Sequence, residues 1–138
     1  MNKAGLLVIA VIFAGCGVVV DHKEYSSRWH TVSNMPEEEY ADVSVSEVNS
    51  AMRSEMMVRG YALISSNDFG AQFQVMEAPV LGVVWMPGFA YTAISGRVRV
   101  TARPRIEENG HIRDAKPDEE ITHICSEAMD NIVPRLMK

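Results

Sequence analysis

Between positions 97 and 106, polar and apolar side chains alternate without a break. Arg97, Arg99, Thr101, Arg103 and Arg105 take the odd positions; Val98, Val100, Ala102, Pro104 and Ile106 take the even ones. Successive side chains of an extended chain point to opposite faces, so this segment is a strand with one cationic and one apolar side. Alternation of this kind belongs to an antiparallel sheet with one face buried and the other wet. Pro104 has no N–H to give to a ladder, so the strand should end at an edge there or leave the sheet.

The flanking segments fit such a sheet. Ser44 and Glu47 form a capping-box pattern, and Val45, Val48, Ala51, Met52 and Met56 recur at helical spacing, predicting a helix over 44–59. Gly60 supplies the left-handed residue that ends it. Met52, Met56 and Met57 read as core filler in preference to thioether metal ligands. Segments 61–66 and 71–77 predict two strands joined through Asn67-Asp68-Phe69-Gly70, whose residues suit a tight turn. The stretch 78–96 has no charged residue, and Pro87-Gly88 predicts a hairpin with Trp85, Met86 and Phe89 near its tip. Segment 107–116 reads as a polar loop turning at Asn109-Gly110. A last helix opens near Asp118, carries Ile121, Ile124, Cys125, Ala128 and Ile132 inward, and is ended or kinked by Pro134.

Helix, then strands, then helix predicts an α+β fold. The expected form is two-layer, with an antiparallel sheet of three to five strands and both helices packed on one face.

The N-terminus has a different character. Met1-Asn2-Lys3 is a short positive head, positions 4–14 are small and apolar, and Phe13-Ala14-Gly15-Cys16 closes the run. That is the shape of a secretory signal, too short and too broken by glycine to span a bilayer. Phe13-Ala14-Gly15-Cys16 resembles the lipobox of bacterial lipoproteins, with Phe13 where that family usually has Leu. The resemblance implies diacylglycerol on the Cys16 thiol, cleavage just before it, and an acylated new amino group. Several acyl chains together anchor a protein stably. Gly17 stands where an Asp would favour inner-membrane retention, so the resemblance implies an outer-membrane protein on the periplasmic face. The expected organisation is a signal peptide at 1–15, a lipidated tether at 16–42 and a single domain at 43–138. Within the tether, His22 and His30 recur with no zinc-like spacing.

A formal charge of −5 argues against a protein that grips nucleic acid by neutralising phosphates. Of two cysteines, Cys16 goes to the lipid, leaving Cys125, which the helical spacing points inward. The sequence has no nucleophile elbow, phosphate-binding glycine loop, zinc-protease motif or CxxC, so no enzyme and no cofactor are expected; an acid beside His111 or His123 in a pocket would reverse that. Two candidate surfaces remain. Arg97, Arg99, Arg103 and Arg105 form a rail suited to the phosphates or carboxylates of an anionic lipid or glycan, unless carboxylates such as Glu77, Glu107 or Glu108 pair with them. Trp85, Met86, Phe89 and Tyr91 are candidates for docking an envelope protein partner.

Overall fold

The structure, a computed structural model, describes residues 26–30, 34–78 and 80–137. The signal peptide, Cys16 and about half of the expected tether, 16–25 and 31–33, lie outside them.

The fold is α+β, with far more sheet than helix. Nine strands are described: β1 (Ser26–His30), β2 (Pro36–Ala41), β3 (Tyr61–Asn67), β4 (Gly70–Val75), β5 (Val83–Met86), β6 (Gly88–Ile94), β7 (Arg97–Ala102), β8 (Arg105–Glu108) and β9 (His111–Asp114). Helix α1 (Val45–Val58) follows β2, while α2 (Glu120–Asn131) and the short α3 (Val133–Leu136) close the chain. All pairings are antiparallel. The main sheet has six strands in the order β1-β2-β7-β6-β4-β3, and a second has three in the order β5-β8-β9. One sheet of three to five strands is therefore too small an expectation. Two strands also precede α1, in the region expected to be tether.

The second of these, β2, has a charge pattern that imitates a linker. Glu37, Glu38 and Glu39 suggest a solvated linker, yet Pro36, Glu38 and Tyr40 are buried on one face of β2 while Glu37 and Glu39 lie on the other. β2 runs beside the alternating strand β7, placing Tyr40 opposite Val98 and Glu38 opposite Val100. The Tyr40 hydroxyl donates to the Met129 carbonyl of α2 at 2.5 Å, satisfying a polar group that burial would otherwise penalise.

One buried cluster joins Val48, Met52 and Met56 of α1 to Cys125, Ala128 and Met129 of α2. From the sheet it takes Tyr40, Phe73, Phe89, Tyr91, Val98 and Val100. Phe73 and Phe89 meet edge to face, with ring centroids 6.1 Å apart. The helix over 44–59 forms as its sequence predicts. Ser44 Oγ accepts from Glu47 N–H, Glu47 Oε1 accepts from Ser44 N–H, and Gly60 takes φ +93° just past the C-cap. The β3–β4 hairpin and the Asn109-Gly110 turn also form, the latter with positive φ at both residues.

The predicted hairpin at Pro87-Gly88 does not form. β5 and β6 never pair; β5 joins β8 in the second sheet, while β6 lies between β4 and β7 in the main one. Residues 83–94 instead form one long arm that runs antiparallel to 97–108 and turns at Ser95-Gly96. Val83 faces Glu108, Met86 faces Arg105, Phe89 faces Ala102 and Ile94 faces Arg97, with no change of register. This ribbon passes from one sheet to the other at Pro87 and Pro104. Pro104 does leave the sheet, and the inward alternation of Val98, Val100, Ala102, Pro104 and Ile106 continues through the bend.

Beneath the second sheet a smaller cluster holds Ile106, Ala115 and Ile121, with Val83 and Trp85 packed against it. α2 serves both clusters: Ile121 sits in this one and Cys125, one turn later, in the main core. The expected loop at 107–116 supplies β9.

Candidate functional site

The arginine rail is divided by the bend. Arg97 and Arg99 are on β7, directly across from β2, where Arg99 faces Glu39 and Thr101 faces Glu37. Opposite charges so placed attract across the strands. Glu39 uses both oxygens: Oε1 accepts from Arg97 Nε at 3.1 Å, and Oε2 accepts from Arg99 at 2.9 and 3.2 Å. Thr101 Oγ1 donates to Glu37 Oε2 at 2.6 Å. The carboxylates that hold the upstream arginines thus come from a strand some sixty residues earlier, not from Glu77, Glu107 or Glu108.

Arg103 sits in the crossing between sheets and Arg105 opens β8. Both are exposed, and neither forms an ion pair among the described residues. Arg103 borders a cleft of about 420 Å³ with Lys116, Asp114, Thr101, Met35 and Pro117. The cleft combines two cations and one carboxylate with apolar walls.

The aromatic candidates lie elsewhere than expected. Met86, Phe89 and Tyr91 are buried, and Trp85 is half-buried against Ile106 and Ile121. Because 85–91 crosses between sheets and forms no free tip, Met86, Phe89 and Tyr91 are core side chains, while Trp85 packs half-buried against the smaller cluster. Tyr91 donates its hydroxyl to Asn49 Oδ1 at 3.1 Å, and burial pushes that hydroxyl up.

The exposed apolar groups form two regions. Leu81 is fully exposed and Val80 60% exposed in the turn before β5, and Ile112 is exposed on β9 in the same sheet. The second region follows the β3 edge: Met57, Val58, Leu63, Ile64, Phe69 and Met76.

The strongly perturbed titratable groups are committed to structure. Burial pushes the Cys125 thiol up to about 12, with a backbone hydrogen bond at Gly88 and the Arg59 charge only partly opposing it. Such a thiol is a poor nucleophile. Glu55 joins the helices: its carboxylate accepts from Arg59 Nε at 2.8 Å, Asn131 at 3.3 Å and Arg135 at 3.4 Å. Desolvation raises its pKa, but these hydrogen bonds and the two guanidinium charges outweigh it and hold the carboxyl below its ordinary value. Glu119 is held at about 2 by paired hydrogen bonds from Arg113 at 2.7 and 2.9 Å, and by the Lys116 N–H. His111 and His123 are exposed. No group of three or more His, Cys, Asp or Glu side chains suited to a metal is found among the described residues.

Comparison with models of protein families and with curated proteins found no match to the chain. Among the described residues, no helix is long and apolar enough to cross a membrane.

Proposed function

We propose that this chain is a noncatalytic, lipid-anchored envelope lipoprotein whose folded part binds another envelope component. In this reading Cys16 carries the lipid, Gly17 directs the protein to the outer membrane, and the domain works at its periplasmic face. The main sheet and helices form two layers, with both helices over the face that bears Val98 and Val100; the buried cluster they share supports that arrangement.

The observation that carries the interaction reading is Leu81. It occupies the second position of a turn closed by Val83 N–H to the Val80 carbonyl, with Gly82 at φ +83°, and is fully exposed at one end of the second sheet. Such apolar groups usually mark a contact when they gather at one place. A photocrosslinking residue at position 81 in intact cells should capture an envelope protein. Capture of nothing above the level seen from exposed Gln74 would count against the reading.

A second reading, an anion-binding module, has its own support in Arg103 and Arg105. Among the described residues these two arginines of the rail form no ion pair, and Arg103 borders the cleft with Lys116. Arg103→Glu with Arg105→Glu should abolish binding to vesicles containing an anionic lipid or glycolipid. Binding that survives both changes would exclude the rail.

A further inference from the structure

β3 is the outermost strand of the main sheet, with one side unpaired among the described residues. From Ala62 to Asn67 every residue is exposed, and the strand Tyr-Ala-Leu-Ile-Ser-Ser-Asn contains no charge. Soluble proteins usually guard such an edge with lysine, proline or an inward charge. Here the only such device is a bulge between Leu63 and Ser65, which leaves Ile64 without a partner in β4 and exposed.

The surroundings of this edge are self-complementary. At one end of β3 stand Met57 and Val58, 66% and 77% exposed; at the other stands Phe69, 79% exposed. A two-fold axis through the Leu63–Ser65 stretch therefore brings Phe69 of one copy toward Met57 and Val58 of the other. Leu63 and Ser66 lie on the helix side of the strand, since they pair with inward Phe73 and Ala71, and Asn49 of α1 reaches Ser66 Oγ at 3.5 Å. α1 thus flanks the same edge and adds its Met57 to the contact.

We propose that β3 pairs antiparallel with β3 of a second copy of this chain, joining two six-stranded sheets into one. The contact is isologous and closes on itself, so it yields a dimer and not a filament. To reach the lower range of specific interfaces, the strand pairing and its apolar flanks must together cover about 1,200 Å² in all. This names one partner within the interaction reading above. It does not depend on the lipid.

The test is site-directed disulfide crosslinking of the full chain in its native membranes. Ile64→Cys lies next to the proposed axis, where facing Cβ atoms come within about 5.5 Å. Gln74→Cys is exposed on β4, one strand inward, and serves as control. Native Cys125 is buried, so its contribution to the background is small. Oxidation should give at least tenfold more self-crosslinked dimer from Ile64→Cys than from Gln74→Cys. In detergent, Phe69→Glu should weaken self-association at least tenfold by sedimentation velocity while leaving the circular dichroism unchanged. Equal yields from the two cysteines, crosslinking of position 64 chiefly to another polypeptide, or undiminished association of Phe69→Glu would each overturn the dimer. Membrane pelleting of the same samples reports the anchor separately. Dimers lost from a protein that still pellets sink only the β3 contact, and dimers formed by a protein that no longer pellets sink only the lipid anchor.

Discussion

Pro87 and Pro104 stand opposite each other where one long antiparallel ribbon leaves the main sheet and enters the second. Neither can donate a backbone hydrogen bond, so the ladder has a gap in both strands at the same level. Their carbonyls are used by other partners: Pro87 accepts from Phe73 N–H at 2.8 Å and from Gln72 Nε2 at 3.1 Å, and Pro104 accepts from Ala115 N–H at 3.0 Å. The bend lets one hairpin contribute to two sheets, with α2 packed against both clusters.

Gly88 should be the least replaceable residue of this bend. A Cβ there would stand 2.5 Å from the Arg103 carbonyl oxygen, while Arg103 N–H itself donates to the Gly88 carbonyl at 2.7 Å. Backbone must move to admit it. Gly88→Ala is expected to cost about 2–4 kcal/mol in urea denaturation, in the range of overpacked cores and strained backbone. Gly96→Ala meets no atom within 4 Å and suffers only from φ +77°, so about 1 kcal/mol is expected.

Glu55 should matter more than a surface acid because it joins α1, α2 and α3. Glu55→Ala leaves Arg59 and Arg135 without that carboxylate and should cost about 3 kcal/mol, as loss of one partner from a buried ion pair does. Equal stability of wild type and variant in urea would show the network to be incidental.

Acid should destabilise the domain through both lowered carboxyls. A depressed folded pKa gives stability that is fully present above the unfolded value, here about 4.5, and is lost as pH falls through the folded value. For Glu119 the window runs from about 4.5 to about 2. Its pair with Arg113 is exposed and screened by solvent, so its share is small. Thermal melting between pH 6 and pH 2 should show a falling Tm, and Glu119→Gln should make the fall shallower. An unchanged slope would contradict the assignment.

Cys125 should resist thiol reagents until the domain opens. Burial removes access, and a thiol pushed up to about 12 contributes almost no thiolate at pH 8. Ellman's reagent should therefore react with the acylated native protein only on adding denaturant. Rapid reaction without it would mean that the core is open at Gly88.

What the sequence revealed depended on whether the governing forces were local. The capping box of Ser44 and Glu47, Gly60, the β3–β4 turn and the alternation from Arg97 to Ile106 involve neighbours within a few residues, and all were legible. β2 was not, because three consecutive glutamates suggest solvent until β7 lies alongside and draws Glu38 inward. The bend was missed because Pro87-Gly88 satisfies a turn pattern locally; only the opposing Pro104, far along the chain, makes it a crossing between sheets. The same distance hid Glu39 as the partner of Arg97 and Arg99. Trp85, Met86, Phe89 and Tyr91 stand out as apolar and aromatic groups at the tip that Pro87-Gly88 predicts, and without that tip the same side chains suit a core.

The envelope reading rests on Cys16 as the mature N-terminus. Mass spectrometry of the N-terminal peptide from the natural product measures this directly. The account predicts a chain that begins at Cys16, with diacylglycerol on its thiol and an acyl group on its amine. A chain that retains the 1–15 leader, or starts elsewhere without lipid, would contradict it.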